Sequence, residues 1–105
     1  MFNSLARQGI TVLALAACPW AQAQDMLAAR SLAATCASCH GTSVRAGGGI
    51  AVLAGRPAEK IVAQVEAFRD GSKPSTVMQQ IAKGYSSEQI RLAAAWFATQ
   101  KAAPP

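Results

Sequence analysis

One histidine, one tyrosine, three cysteines and 14% charged residues are spread over 105 positions. Each scarcity excludes something. A single imidazole, His40, cannot build a histidine-rich metal centre. The ten lysines and arginines stand singly, with no run of five or six and little aromatic interleaving, so the footprint of a nucleic-acid binder is missing. The apolar stretch Ile10–Ala17 is too short to cross a bilayer as a stable helix. No internal repeat is visible, and the length excludes a multidomain architecture. What remains is a chain 51% apolar, which folds rather than stays disordered.

The N-terminus reads as a leader. Arg7 precedes the apolar stretch, Pro19 breaks it, and Ala21-Gln22-Ala23 supplies the small-x-small cleavage site of a secretory signal peptide. Residues 1–23 are therefore expected to be removed, leaving 24–105 as the working domain in the periplasm. A competing reading takes Leu15-Ala16-Ala17-Cys18 as a lipobox, with Cys18 lipidated and the domain anchored to a membrane. Loss of Arg7 leaves nine basic against five acidic residues, a net charge of +4. A domain of about 82 residues has a marginal core and ordinarily carries a disulfide, a metal or a cofactor inside it. Only Cys36 and Cys39 lie beyond the leader to supply that staple.

Every element of the working domain reads as helix. Asp25 is placed to cap a first helix from Met26 to about Ala37, with Gly41 as its stop. Thr42 to Pro57, containing Gly47-Gly48-Gly49 and Gly55, has no helical or strand period. A loop of that length in so small a domain implies something to wrap. The triple glycine lacks both the spacing and the preceding strand of a phosphate-binding loop. Pro57 at a first helical position opens Ala58 to Asp70, with Ile61, Val62, Val65 and Phe68 on one face and Gly71 at its end. A turn at Pro74 leads into Thr76 to Lys83, closed by Gly84. Ser86 and Gln89 form a capping-box pattern for a last helix, about Ser87 to Lys101, with Ile90, Ala93, Ala94 and Phe97 on one stripe. The tail after Lys101 is expected to fray.

The chemistry concentrates at Cys36-Ala37-Ser38-Cys39-His40. In an exported chain, two cysteines three apart followed by histidine point to one covalently bound haem c. The spacing puts both sulfurs on one helical face for the two vinyl groups and leaves His40 to ligate the iron. A thioredoxin-like thiol pair would need a preceding strand, and zinc would need a fourth ligand drawn from carboxylates. A low-spin electron carrier needs a sixth ligand, and with no second histidine methionine is the candidate. Met1 leaves with the leader, Met26 lies upstream on the first helix, and Met78 follows the long loop and the Pro74 turn. Met78 is the expected distal ligand; its plainer reading is a flexible core filler three residues before Ile81. A thioether raises the reduction potential relative to a second imidazole, and two filled axial positions leave no open site for catalysis.

These residues, with Leu53-Ala54-Gly55, the axial methionine and Trp96-Phe97 in the last helix, resemble a class I cytochrome c across the whole working domain. More narrowly, Phe68-Arg69-Asp70-Gly71 and Pro74 to Ser86 are similar to the cytochrome subunit of flavocytochrome c sulfide dehydrogenase. The resemblance implies an all-α domain wrapped around its haem, with the first helix crossing the last through Ala28, Ala29 and Ala33 against Trp96 or Phe97. It implies that Ile50, Leu53, Ile61, Val65, Phe68, Thr76 and Tyr85 pack near the haem. It also implies that the backbone carbonyl of residue 51 accepts the Nδ1 hydrogen of His40. The family often has proline there, whereas this chain has Ala51, and a carbonyl needs no proline ring to serve. Some members carry two haem domains, but a single Cys-x-x-Cys-His is present here.

The implied activity is one-electron transfer, with no catalysis by the chain itself. The implied partner is a separate FAD-containing sulfide dehydrogenase subunit. The alternative is a freely diffusing carrier between periplasmic redox proteins and a terminal oxidase, docking through lysines and arginines in a salt-sensitive way. A haem-based ligand sensor is a third class, and it requires a weak or missing Met78 bond.

Overall fold

The structure, a computed structural model, describes residues 19–42 and 49–101. The expectations for leader residues 1–18, Cys18 among them, and for Arg45, Gly47, Gly48 and the tail from Ala102 lie outside those residues. Among the described residues, four helices occur in the order α1 (Pro19–His40), α2 (Ala58–Asp70), α3 (Met78–Lys83) and α4 (Ser87–Ala98). No strand occurs among the described residues, as the patterning predicts.

Helix α1 begins seven residues earlier than expected. Nothing between Trp20 and Gln24 breaks a helix, and Pro19 is tolerated in a first turn because its missing N–H has no partner to lose. Asp25 accordingly lies inside the helix and caps nothing. The helix also runs past Ala37 to His40. It stops where Gly41 adopts φ 73°, a left-handed conformation costly for any side chain, and donates its N–H to the Ala37 carbonyl at 2.8 Å.

Helix α2 has the expected bounds, with Pro57 just outside it at φ −55° and ψ 133° rather than at the first helical position. Gly71 ends it at φ 83°, and a Cβ there would also meet the Gln79 side-chain nitrogen at 3.1 Å. Helix α3 starts at Met78, two residues later than expected. Its first turn is held by Ser75, whose hydroxyl accepts the Gln79 N–H at 2.9 Å. The capping box of α4 forms in full: Gln89 N–H donates to Ser86 Oγ at 3.1 Å, and Ser86 N–H donates to Gln89 Oε1 at 2.9 Å. The helix ends at Ala98, short of Lys101, and the Thr99 hydroxyl donates to the Trp96 carbonyl at 2.7 Å.

Helix α4 packs on both α1 and α2, and α3 packs on α2 alone. The core joins Ala33, Ile61, Ala94 and Phe97, with Leu53, Val62, Val65 and Trp96 against it. Alanines on both sides let α1 and α4 approach closely, and Phe97, 1% exposed, fills what space remains. Trp96 and Phe97 meet edge to face at 5.1 Å. The crossing uses Ala29 and Ala33 as expected, but Ala28 is exposed. On a helix buried along one stripe, positions 29 and 33 face the partner together and position 28 turns away. The loop before α2 is tied to the end of α4 by Gly55 N–H donating to the Phe97 carbonyl at 2.9 Å.

Candidate functional site

The last turn of α1 carries Cys36, Cys39 and His40, so one rigid element presents two thiols and an imidazole. Both cysteines are free thiols. Cys36 is half-buried against the core and its Sγ–H points to the Leu32 carbonyl at 3.7 Å, whereas Cys39 is exposed. Burial pushes the Cys36 thiol pKa up, an effect that its local hydrogen-bonding surroundings only partly oppose. The protonated thiol is therefore the favoured form of this residue until it reacts.

His40 Nδ1 lies 2.6 Å from the backbone oxygen of Ala51. A carbonyl only accepts, so Nδ1 carries the hydrogen and the lone pair of a neutral ring resides on Nε2. That is the tautomer a metal-ligating histidine needs, with the ring's orientation fixed from behind by a backbone acceptor. The contact falls on the residue that the family resemblance singled out. Alanine supplies the oxygen as a proline would, because the side chain takes no part.

Met78 is the first residue of α3 and is partly buried. Around it Val77 and Ile81 are exposed at 59% and 44%. Helices α1 and α3 do not touch, so Met78 and His40 are carried by separate supports. Ligands to opposite faces of a flat ring need such separate supports. Met26, in contrast, is on α1 itself, fourteen residues before His40, or about 21 Å along the axis at ~1.5 Å per residue. Met26 and His40 cannot share one metal atom.

The donor chemistry thus fits a haem: two free thiols three residues apart, an imidazole with Nε2 available and a methionine on an independent element. Of the second-tier residues, Leu53, Ile61 and Val65 belong to or pack on the core, while Ile50 and Thr76 are exposed. Two surface depressions, one formed by Trp20, Ala23, Gln24 and Leu27 and the other by Arg30, Ala34, Thr42, Trp96, Gln100 and Lys101, include none of the expected site residues.

Sequence reasoning missed a polar chain across the molecule. Arg69 donates from Nη1 to the Tyr85 carbonyl at 2.9 Å and from Nη2 to Ser87 Oγ at 2.7 Å, and it pairs with Glu66. The Tyr85 hydroxyl in turn lies 2.9 Å from Thr35 Oγ1, fifty residues away in sequence. Spacing carries no signal for contacts of that kind.

No family model matches the chain. Three curated proteins do. The chain is 41% identical over 66 residues to the cytochrome subunit of sulfide dehydrogenase of Chlorobaculum tepidum, a match covering 63% of this chain and 60% of that one. It is 34% identical over 101 residues to a thiosulfate dehydrogenase electron acceptor of Thiomonas intermedia, covering 90% of this chain and 45% of that one. The match thus spans about half the length of these two relatives. It is 33% identical over 86 residues to cytochrome c-554(548) of Halomonas halodenitrificans, covering 75% of this chain and 100% of that one. With that full-length relative, and an all-helical fold that sets Cys36, Cys39 and a backbone-oriented His40 on one helix end, the chain belongs to the cytochrome c family and resembles the cytochrome subunit of sulfide dehydrogenase.

Proposed function

We propose that this c-type cytochrome is an exported, mono-haem electron carrier and the haem subunit that accepts electrons from a flavoprotein sulfide dehydrogenase. Cys36 and Cys39 would hold the haem through thioethers, and His40 Nε2 and Met78 Sδ would be the protein's ligands to its iron. The bound haem supplies a one-electron iron couple. The protein's own residues do the rest. Ala51 O fixes the His40 ring, α1 presents thiols and imidazole as one unit, and α3 brings the neutral thioether from a separate support. A thioether favours the reduced metal and so sets a higher potential than a second imidazole would. With both positions occupied, the chain passes electrons and performs no catalysis alone.

The observation that carries the ligation reading is the 2.6 Å contact between His40 Nδ1 and Ala51 O. The sulfide-oxidising assignment rests on the 41% identity to a protein of that name. On that reading the donor is an FAD-containing subunit, and residues 1–23 direct the chain to the periplasm. A second reading, a carrier that diffuses between redox proteins, is supported by the Thiomonas relative, named an electron acceptor of a thiosulfate dehydrogenase.

One preparation separates them. The full chain is expressed with its leader and the haem-attachment machinery in a host that makes the native partner, then purified by a tag. A red protein with non-alkylatable Cys36 and Cys39, a methionine-to-iron absorption band lost in Met78→Ala, and a co-purifying FAD protein is the expected result. A colourless secreted product with alkylatable thiols refutes the haem reading. Red protein without a flavoprotein, whose electron transfer slows as salt rises, favours the diffusing carrier.

A further inference from the structure

The polar chain running from Arg69 to Thr35 crosses the molecule between the elements that carry His40 and Met78. Helix α3 has six residues, too few to hold itself together, and packs only on α2. Nothing in α3 therefore fixes where Met78 sits relative to α1. The next structured link along the chain is Tyr85, two residues beyond the last residue of α3. Its side chain makes the one hydrogen bond, among the described residues, between α1 and the α3–α4 segment.

The directions of these bonds follow from their chemistry. Thr35 Oγ1 gives its single hydrogen to the Leu32 carbonyl at 2.7 Å. It can then only accept from Tyr85, so the phenol donates. The backbone of the same tyrosine is held from the other side, its carbonyl accepting Arg69 Nη1–H at 2.9 Å. Arg69 Nη2 donates to Ser87 Oγ, and the guanidinium is also ion-paired with Glu66. The guanidinium is planar and its donors point in set directions, so this arrangement leaves the α3–α4 turn little freedom to rotate. Thr35 precedes Cys36 by one residue, so the far end of the chain is anchored on the attachment turn itself.

We propose that Arg69, Tyr85 and Thr35 form a strap that fixes the α3–α4 turn against the end of α1 and so holds Met78 in position for the iron. Arg69 and Tyr85 are positioning residues acting through Met78. The inference rests on the His40/Met78 reading of the site, and the test keeps the two apart.

The test is competition by free imidazole for the distal position of the purified, haem-loaded protein, followed by the visible spectrum. Tyr85→Phe keeps the ring and removes the donor; Thr35→Val keeps the shape and removes the acceptor. Each should raise the apparent affinity for imidazole about fivefold, the effect of one ordinary hydrogen bond. The double variant should do no more than either single one, because both break the same bond. Arg69→Gln should act in the same direction, with Arg69→Lys between it and the wild type.

The decisive background is Met78→Ala. That variant alone should bind imidazole far more tightly, and adding Tyr85→Phe to it should change nothing, since the strap then has no ligand to hold. An equal effect of Tyr85→Phe with and without Met78 would assign the tyrosine a merely structural role and overturn the strap. So would unchanged affinity in Tyr85→Phe and Thr35→Val. If Met78→Ala itself left imidazole binding unaltered, the distal-ligand assignment would fail first and the strap with it.

Discussion

Ala33 is the position at which the α1–α4 crossing is most exposed to challenge. It is fully buried, in a cluster with Ala94, Phe97 and Ile61, three residues before Cys36. Replacement by leucine adds three carbons where the facing residue, Ala94, is equally buried. Such overpacking costs about 1–3 kcal/mol, because neighbours must leave their rotamers or the helices must separate. Leucine at position 28 is a control of the same chemistry. Ala28 is exposed on the same helix, and leucine there should stay within about 0.5 kcal/mol of the wild type. Urea unfolding of the haem-loaded protein, followed by helical circular dichroism, reads the difference. With a slope of about 1 kcal/mol/M for a domain this small, Ala33→Leu should lower the midpoint by about 1–3 M and Ala28→Leu by less than about 0.5 M. Equal effects at the two positions, or a neutral Ala33→Leu, would refute the crossing.

Two further substitutions follow from local geometry. Ala51→Pro keeps the carbonyl that accepts from His40, and the Ala51 N–H has no partner among the backbone hydrogen bonds of the described loop; the ring should stabilise the folded protein by about 0.4–1 kcal/mol by restricting the unfolded chain, with the visible spectrum unchanged. A loss of stability, or an altered iron spectrum, would show that the loop cannot accept a proline. Asp70 Oδ1 accepts the Ser72 N–H at 2.8 Å, and the Ser72 side chain and then its backbone hold the carboxyl below the usual carboxylate range. A carboxylate with a lowered pKa adds stability above its unfolded value and loses it as pH falls through its folded value. Ser72→Ala should thus move the Asp70 titration upward in an NMR pH series and weaken the pH dependence of stability in the acid range. An unmoved titration would assign the shift elsewhere.

Local rules made the short-range parts of this fold legible. The Ser86–Gln89 capping box, the Gly71 stop and the bounds of α2 depend on contacts within four residues, and sequence displays these directly. The start of α1 is less legible, because Asp25 is a good cap residue while the residues from Trp20 to Gln24 continue the helix without a break. At the site, Cys36, Cys39 and His40 announce themselves by spacing, and the resemblance led to the Ala51 carbonyl. The Arg69–Tyr85–Thr35 chain was not legible. Its bonds join positions 16 and 50 residues apart through a backbone oxygen and a hydroxyl, and nothing in the order of residues says which tyrosine will face which threonine. Ala28 is exposed for a related reason: the identity of a small residue shows that close approach is possible there, and only helical phase shows whether it happens.

The buried residues of the described protein bear on whether this chain can fold alone. Five of the eight are alanines, and only Ile61, Ile90 and Phe97 are large. Alanine allows close approach but removes little apolar surface from water, so three large side chains must supply most of the burial, at about 1.5–3 kcal/mol each. Meanwhile Ile50, Val77 and Ile81 are more than two-fifths exposed, and Val77 and Ile81 flank Met78. A core poor in large side chains, with apolar residues gathered beside a proposed ligand, is the pattern of a domain whose prosthetic group is part of its core. The Cys36→Ser/Cys39→Ser variant, exported in the same way, should therefore show reduced helical dichroism and no cooperative urea transition. A colourless double variant that unfolds as sharply as the haem-loaded protein, at a similar midpoint, would show that these four helices need nothing between them.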